Sequence, residues 1–287
     1  MSTETLTFGP PNDTWTYDHP TKTWDLSNSS KRNLTFSTTE GLSDTSVTIN
    51  PERTALVVVD MQNFFLDASC MEHPNGLKAV EPTARVVEWC RVVGVQVIWL
   101  NWGLTDTDMC TMPASILRSF ARNLIVPPPS PTSPTPYIGL GSPLSPPSKG
   151  RTLFASTWNA SIFPSLAKHI SPSDIHVPKN RMSGLWNEEQ PLYKTLVEKG
   201  VKTILFAGVN TDQCVLGTLV DAYNNGWACV LVDDCCGTTT RWGREASLWN
   251  VAVSLVFIFF LYFFLWCILF TWVRIVWGLH LIFTIFL

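Results

Sequence analysis

An aspartate, a lysine and a cysteine, each at or shortly after the end of an expected strand, are the residues of this chain whose types and placement suit joint chemistry. Cys214 ends the stretch Gly208-Val209-Asn210-Thr211-Asp212-Gln213-Cys214. An apolar run, Val201 to Ala207, precedes it and an amphipathic one, Val215 to Tyr223, follows. This order predicts strand, tight turn and helix, with Cys214 at the helix N-terminus. Unpaired N–H groups and the positive end of the helix dipole favour a thiolate there, and the thiolate is the nucleophile. A cysteine in that place also reads as a small core hydrophobe. Asp60 follows Thr54 to Val59, a continuous β-branched run typical of a strand covered on both faces. A carboxylate at the C-terminal end of a parallel strand lies where ligands bind in open α/β sheets. Lys179 ends a third short strand, 174–178. Singly, Asp60 caps a turn and Lys179 is a solvated cation. Together, an acid, a cation and a thiol on three strand ends form a set able to activate a nucleophile.

These segments resemble the isochorismatase-like cysteine hydrolase family. Its three hallmarks occur in order: a hydrophobic strand then Asp60-Met61-Gln62-Asn63, a strand then Lys179, and Gly208-Val209-x-Thr211-Asp212-x-Cys214. The runs Lys179-x-x-x-Ser183-Gly184-x-Trp186 and Asp233-Asp234-Cys235-Cys236-Gly237 fit the same pattern, and the resemblance covers about Arg53 to Asn250. It implies a triad of Asp60, Lys179 and Cys214 and acyl transfer to the cysteine. Asp60 takes the thiol proton, Lys179 stabilises the thiolate, and a covalent thioester is hydrolysed by water. It also implies an oxyanion hole from the N–H of Cys214 and from Asn210, and a non-proline cis peptide at Val209–Asn210.

Asn101-Trp102-Gly103 resembles the loop of ureidoacrylate-type and N-carbamoyl amidohydrolases. The expected reaction is therefore cleavage of a C–N bond in a small amide, ureido or carbamoyl metabolite. Asn63, Phe64, Asn101, Trp102, Trp158 and Trp186 are the candidate pocket residues, each of which also reads as core packing. Nicotinamidases of the superfamily hold a metal through an aspartate and two histidines after the second strand. Residues 101–108 contain no histidine, and the five histidines, at 19, 73, 169, 176 and 280, lack ligand spacing. Asp106 and Asp108 read as solvated loop acids. The site is expected to be metal-free, with no cofactor. Alternatives are a catalytically inactive or regulatory protein of this family, and an isochorismate-type vinyl ether hydrolase.

The elements that must position these residues follow from the rest of the pattern. The chain of 287 residues suffices for one sizeable domain, and its formal charge of −3 gives no reason to expect nucleic acid as a partner. Eight cysteines without metal spacing and a polar, signal-free Met1 to Pro10 predict reduced thiols and a cytoplasmic protein, and make the sequons at Asn28, Asn33 and Asn159 coincidental. Residues 1–50 read as an extended arm carrying Trp15, Tyr17 and Trp24, on the domain surface or on a neighbouring subunit. Residues 51–250 read as the hydrolase domain, interrupted by a Pro/Ser-rich insertion loop at 126–150 that is placed to serve as a lid. Strands at 54–59, 95–100, 174–178, 201–207 and 228–232 are separated by helical segments. They predict a doubly wound, mainly parallel α/β sheet with helices on both faces. Self-association is expected, as in the family.

Residues 251–287 depart from this composition. Val251 to Val273 is long and apolar enough for a membrane span. The segment reads either as a tail anchor to an intracellular membrane or as translation of an unspliced intron or shifted frame. Alternatively, Val253 to Phe259 replaces the last strand of the domain.

Overall fold

The computed structural model describes residues 5–259, apart from 12, 29, 41–42, 122–123, 125–138 and 256. Among the described residues the strands are β1 (Thr5–Phe8), β2 (Trp15–Asp18), β3 (Thr23–Asp25), β4 (Leu34–Glu40), β5 (Ser43–Ile49), β6 (Thr54–Val59), β7 (Gln96–Trp102), β8 (Ile175–Lys179), β9 (Thr203–Val209), β10 (Ala228–Gly237) and β11 (Phe257–Phe259). The helices are α1 (Asn63–Leu66), α2 (Pro74–Val93), α3 (Asp106–Thr111), α4 (Ala114–Phe120), α5 (Pro164–Ala167), α6 (Pro191–Glu198), α7 (Leu216–Asn224) and α8 (Gly243–Asn250). One sheet runs in the order β1-β2-β3-β5-β4-β11-β10-β9-β6-β7-β8. From β11 to β8 every neighbouring pair is parallel. Every residue of β6 and β9 is buried, as expected of central strands made from continuous apolar runs.

The fold is a doubly wound, mainly parallel α/β sheet with helices packed on it. The chain builds outward from β6 through β7 to β8, then crosses to the other side of β6 and continues through β9, β10 and β11. The order therefore reverses between β6 and β9. Such a reversal opens a crevice at the C-terminal strand ends. Gly208 makes the close approach of these two strands possible. A Cβ at this position would lie 2.0 Å from the Val59 carbonyl oxygen, and its φ of 118° is one that side chains resist.

Residues 5–49, which the sequence presents as an arm, are instead five strands that extend the sheet. Their threonines conceal the pattern because they face one another across the ladder. Thr35 and Thr48 hydroxyls are 2.8 Å apart, and those of Thr38 and Thr45 are 2.9 Å apart. The expected surface aromatics form a cluster in which Trp24 contacts Phe8, Trp15 and Tyr17. β4 then joins β11 in antiparallel fashion. The candidate membrane span begins as a π-helical turn, Val251–Leu255, followed by β11. Its remainder, 260–287, lies outside the described residues, as do positions 126–138 of the insertion loop. No helix among the described residues is long and apolar enough to cross a membrane. Asn159 is fully buried and its side chain forms four hydrogen bonds, with Lys149, Arg151, Leu153 and Thr157, so it cannot carry a glycan in this fold.

The edge of the parallel sheet is tied down by an ion pair. The Arg91 guanidinium grips Asp174 through Nε (3.0 Å) and Nη2 (2.6 Å), and the Trp99 indole N–H donates to the same carboxylate at 2.9 Å. Burial pushes Asp174 up, but the hydrogen bonds from Arg91, Trp99 and the Ser171 N–H outweigh it and hold the carboxyl below its ordinary value. A carboxyl depressed on folding stabilises the protein above the unfolded value near 4, and that stability is lost as pH falls through the folded value. Asp174→Asn should cost about 3 kcal/mol at pH 7, by leaving Arg91 without its partner. Urea midpoints should show the gap to wild type closing as the pH falls below about 4. A pH-independent gap would contradict this account.

Candidate active site

Asp60 follows the last residue of β6 with φ 53°, a left-handed conformation that aspartate tolerates better than most residues. The turn is held by the Asp60 N–H, which donates to the Leu100 carbonyl at 2.9 Å, and by the Gln62 N–H, which donates to the Asp60 carbonyl at 2.8 Å. The carboxylate thereby points across the strand ends. Its Oδ1 accepts from the Trp102 backbone N–H at 3.2 Å, and its Oδ2 lies 2.9 Å from Lys179 Nζ.

Lys179 is the last residue of β8, paired in register with Trp102 of β7. Its Nζ lies 3.4 Å from Cys214 Sγ, donates to the Arg181 carbonyl at 3.1 Å, and stands 4.1 Å over the centroid of the Trp102 ring. One ammonium thus bridges the carboxylate and the sulfur over an aromatic face. Asp60, Lys179 and Cys214 are 0, 3 and 7 % exposed. The three residues named from sequence as a triad meet in one buried cluster at the strand ends.

Cys214 lies in a π-helical turn, Thr211–Val215, one turn before α7. The turn is closed by the Gln213 and Val215 N–H groups, which donate to the Asn210 carbonyl at 3.1 and 3.2 Å. The Val209–Asn210 peptide that leads into it is cis. The helix start alone suggests a thiolate, but burial outweighs it and pushes the Cys214 thiol up to about 12. Lys179 opposes the rise, the Asp60 carboxylate adds to it, and the Trp102 side chain acts with Lys179. At neutral pH the resting sulfur therefore carries its proton. Burial also raises Asp60 against the lowering effect of Lys179 and of hydrogen bonds from Lys179, Cys214 and Trp102. Burial thus moves both the thiol and the carboxyl towards their protonated forms.

The candidate pocket residues are placed as follows. Trp102 is fully buried against Lys179, with Phe120 edge-on at 5.2 Å. Asn63 and Phe64 open α1 and are buried; Asn63 Nδ2 donates to the Trp158 carbonyl at 2.8 Å. Trp158 is partly exposed beneath Lys149. Trp186 is partly exposed beside Arg181 and donates to Asn180 Oδ1 at 3.3 Å, within the loop that follows Lys179. Asn101 is different. β7 continues to Trp102, two residues beyond the expected strand end, and alternation sends neighbours to opposite faces. Asn101 lines a cleft of about 250 Å³ with Trp102, Gly103, Ser156, His176 and Pro178; Asp60, Lys179 and Cys214 do not line it. A cavity of about 990 Å³ between the start of α2 and the loop after β10 is not lined by the triad either.

The loop acids have structural partners. Asp108 caps α3 by accepting from the Thr105 N–H and hydroxyl and also accepts from Asn180 Nδ2 at 2.6 Å; Asp106 pairs with Arg151 at 2.7 Å. Sequence reasoning missed two residues. Gln62 donates to the Trp102 and Ala160 carbonyls at 2.8 and 2.7 Å and accepts from the Trp102 N–H, which ties the ends of β6 and β7 to the Trp158 loop. A glutamine next to a fully apolar strand is the signal that could have found it. His73, which contacts Asn210, carried no signal beyond its isolation.

Comparison with known proteins accords with this geometry. Residues 54–258 match the model of the isochorismatase domain. A ureidoacrylate amidohydrolase (RutB) from Methylorubrum extorquens is 29 % identical over 194 residues, covering 66 % of this chain and 71 % of that protein. The crystal structure of a cysteine hydrolase from Pseudomonas syringae pv. phaseolicola superposes with a TM-score of 0.56 at 20 % identity, covering 73 % of this chain and 89 % of that one. That of N-carbamoylsarcosine amidase from Thermoplasma acidophilum gives 0.50 at 21 % identity, covering 70 and 92 %.

Proposed function

This chain belongs to the isochorismatase family, and on that footing we propose that it is a cysteine hydrolase that cleaves the C–N bond of a small amide, ureido or carbamoyl compound. The observation that carries the proposal is the single contact set in which Lys179 Nζ lies 2.9 Å from Asp60 Oδ2 and 3.4 Å from Cys214 Sγ. A buried, protonated thiol is a poor nucleophile, so its proton must leave as it attacks. Asp60 accepts that proton. Lys179 holds the negative charge on sulfur and opposes the effect of burial.

The thiolate attacks the carbonyl carbon. The resulting oxyanion is held by the backbone N–H of Cys214 and by Asn210, in the turn that precedes α7. Asp60 returns its proton to the departing nitrogen, the C–N bond breaks, and ammonia or an amine leaves a thioester on Cys214. Water then attacks the thioester, gives a proton to Asp60, and releases the acid or carbamate with the thiol restored. Trp102, Phe64, Trp158 and Trp186 would supply apolar walls for a small planar group, and Asn63 an amide contact.

The test is ammonia release from a panel of small amides and ureido acids, with Cys214→Ala as the blank, together with acid quenching during turnover. A mass increment on the Cys214 peptide equal to the acyl or carbamoyl group is expected. Release of ammonia at an equal rate by the alanine variant would eliminate the covalent route.

A further inference from the structure

His73 is 1 % exposed and lies in the loop before α2, far from Cys214 in sequence, yet it touches the turn that carries Cys214. Its Nδ1 accepts from the Gly76 N–H at 2.8 Å, which makes it the N-cap of α2. A backbone N–H can only donate, so the ring proton resides on Nε2. Nε2 lies 2.5 Å from Asn210 Oδ1 and donates to it. Burial lowers the His73 pKa against the opposing effects of the Asn210 hydrogen bond, a backbone hydrogen bond and nearby Asp212, so the ring is neutral at working pH and the tautomer is fixed. Asp212 is itself engaged by the Thr238 hydroxyl at 2.5 Å.

Asn210 is the residue whose carbonyl closes the π-helical turn around Cys214. Its side chain is anchored from outside that turn by His73. We propose that His73 is a positioning residue that fixes Asn210, and with it the oxyanion-binding side of the turn, from the N-terminus of α2. The inference rests on the hydrolase reading above. It predicts a specific separation. Acyl transfer to Cys214 passes through an oxyanion and needs the Asn210 side of the turn in place. Alkylation by iodoacetamide forms an Sγ–C bond at a tetrahedral carbon with loss of iodide and makes no oxyanion, so it reports the sulfur alone.

Two variants dissect the contacts. In His73→Asn the side-chain oxygen can still accept from Gly76, so the helix cap survives while the donor to Asn210 is lost. In His73→Gln the amide nitrogen reaches the former Nε2 position. Acylation of the full-length protein by p-nitrophenyl acetate, in which an Sγ–acyl bond forms, the aryl ester bond breaks and p-nitrophenolate leaves, is followed on the Cys214 peptide by mass spectrometry. His73→Asn should acylate about 10- to 100-fold more slowly than wild type, a step below complete loss of an oxyanion donor. Its alkylation should stay within about twofold of wild type, and His73→Gln should recover most of the acylation rate. Equal acylation in wild type and His73→Asn would overturn the proposal alone. So would parallel losses of acylation and alkylation, or no recovery with glutamine. A wild-type Cys214 that is alkylated but never acylated would overturn it together with the hydrolase reading.

Discussion

Asp60→Asn should lower kcat by about 10³-fold or more, because it removes the group that takes the Cys214 proton. The size follows from the burial of the sulfur. A thiol pushed up to about 12 is almost wholly protonated at neutral pH, and bulk water is poorly placed to deprotonate it. Asp60→Asn also leaves Lys179 buried without its counter-ion, a loss of about 3–5 kcal/mol of stability. These two consequences are separable. Adding Lys179→Met removes the orphaned charge and replaces it with an apolar chain of similar length, an exchange that is often neutral or stabilising. The double variant should regain most of the melting temperature lost by Asp60→Asn and none of the activity. Recovered activity in the double variant would show that Asp60 serves only to compensate Lys179. In the wild-type enzyme, burial raises the Asp60 carboxyl, so the acid limb of kcat/KM should fall above the ordinary carboxylate range near 4. The rate declines as pH drops through that raised value, since only the ionised carboxylate can accept the thiol proton.

Asp60, Lys179 and Cys214 were legible because each lies at or shortly after the end of a recognisable strand, in motifs that resemble the family's, and parallel strands bring such ends to one edge. Asn210, one residue beyond β9, was named only through the family resemblance. The protonation of Cys214 was not legible. A helix start says nothing of how deeply the sulfur is buried, and burial decided the outcome. The end of β7 was legible only roughly: the strand runs to Trp102, two residues beyond the apolar run, which puts Asn101 inside it. His73 was illegible because its partner lies 137 positions away and no local pattern links them. The N-terminal strands were hidden because cross-strand threonine pairs look, in one dimension, like a polar loop.

The same concealment bears on the stability of the whole molecule, which should depend on three residues of the aberrantly apolar C-terminal segment. β11 is the only link between the parallel sheet and the N-terminal strands in the described strand order. Phe257, Ile258 and Phe259 register with Val230, Leu231 and Val232 on one side, and Ile258 pairs with Thr39 on the other. All three are buried. Phe257 packs against Trp15 and Trp24, and Phe259 lies 4.8 Å from Phe36, centroid to centroid. Burying each such side chain contributes about 1.5–3 kcal/mol, so the strand as a whole is comparable with the net stability of a typical domain, roughly 5–15 kcal/mol. Phe259→Ala should therefore cost about 3–5 kcal/mol by urea unfolding. A chain ended at Asn250 should lose the near-ultraviolet circular dichroism of the Trp15–Trp24 cluster and expose the flank of β10, with aggregation as the consequence. A loss below 1 kcal/mol for Phe259→Ala, or an unchanged tryptophan signal in the shortened chain, would mean that β4 and β5 hold to the parallel sheet without this strand. The expected destabilisation by Phe259→Ala also has a chemical corollary: β10 lies between β11 and β9, whose end leads into Asn210 and Cys214, so loosening at β11 should reach the cysteine as a faster iodoacetamide reaction before the protein unfolds globally.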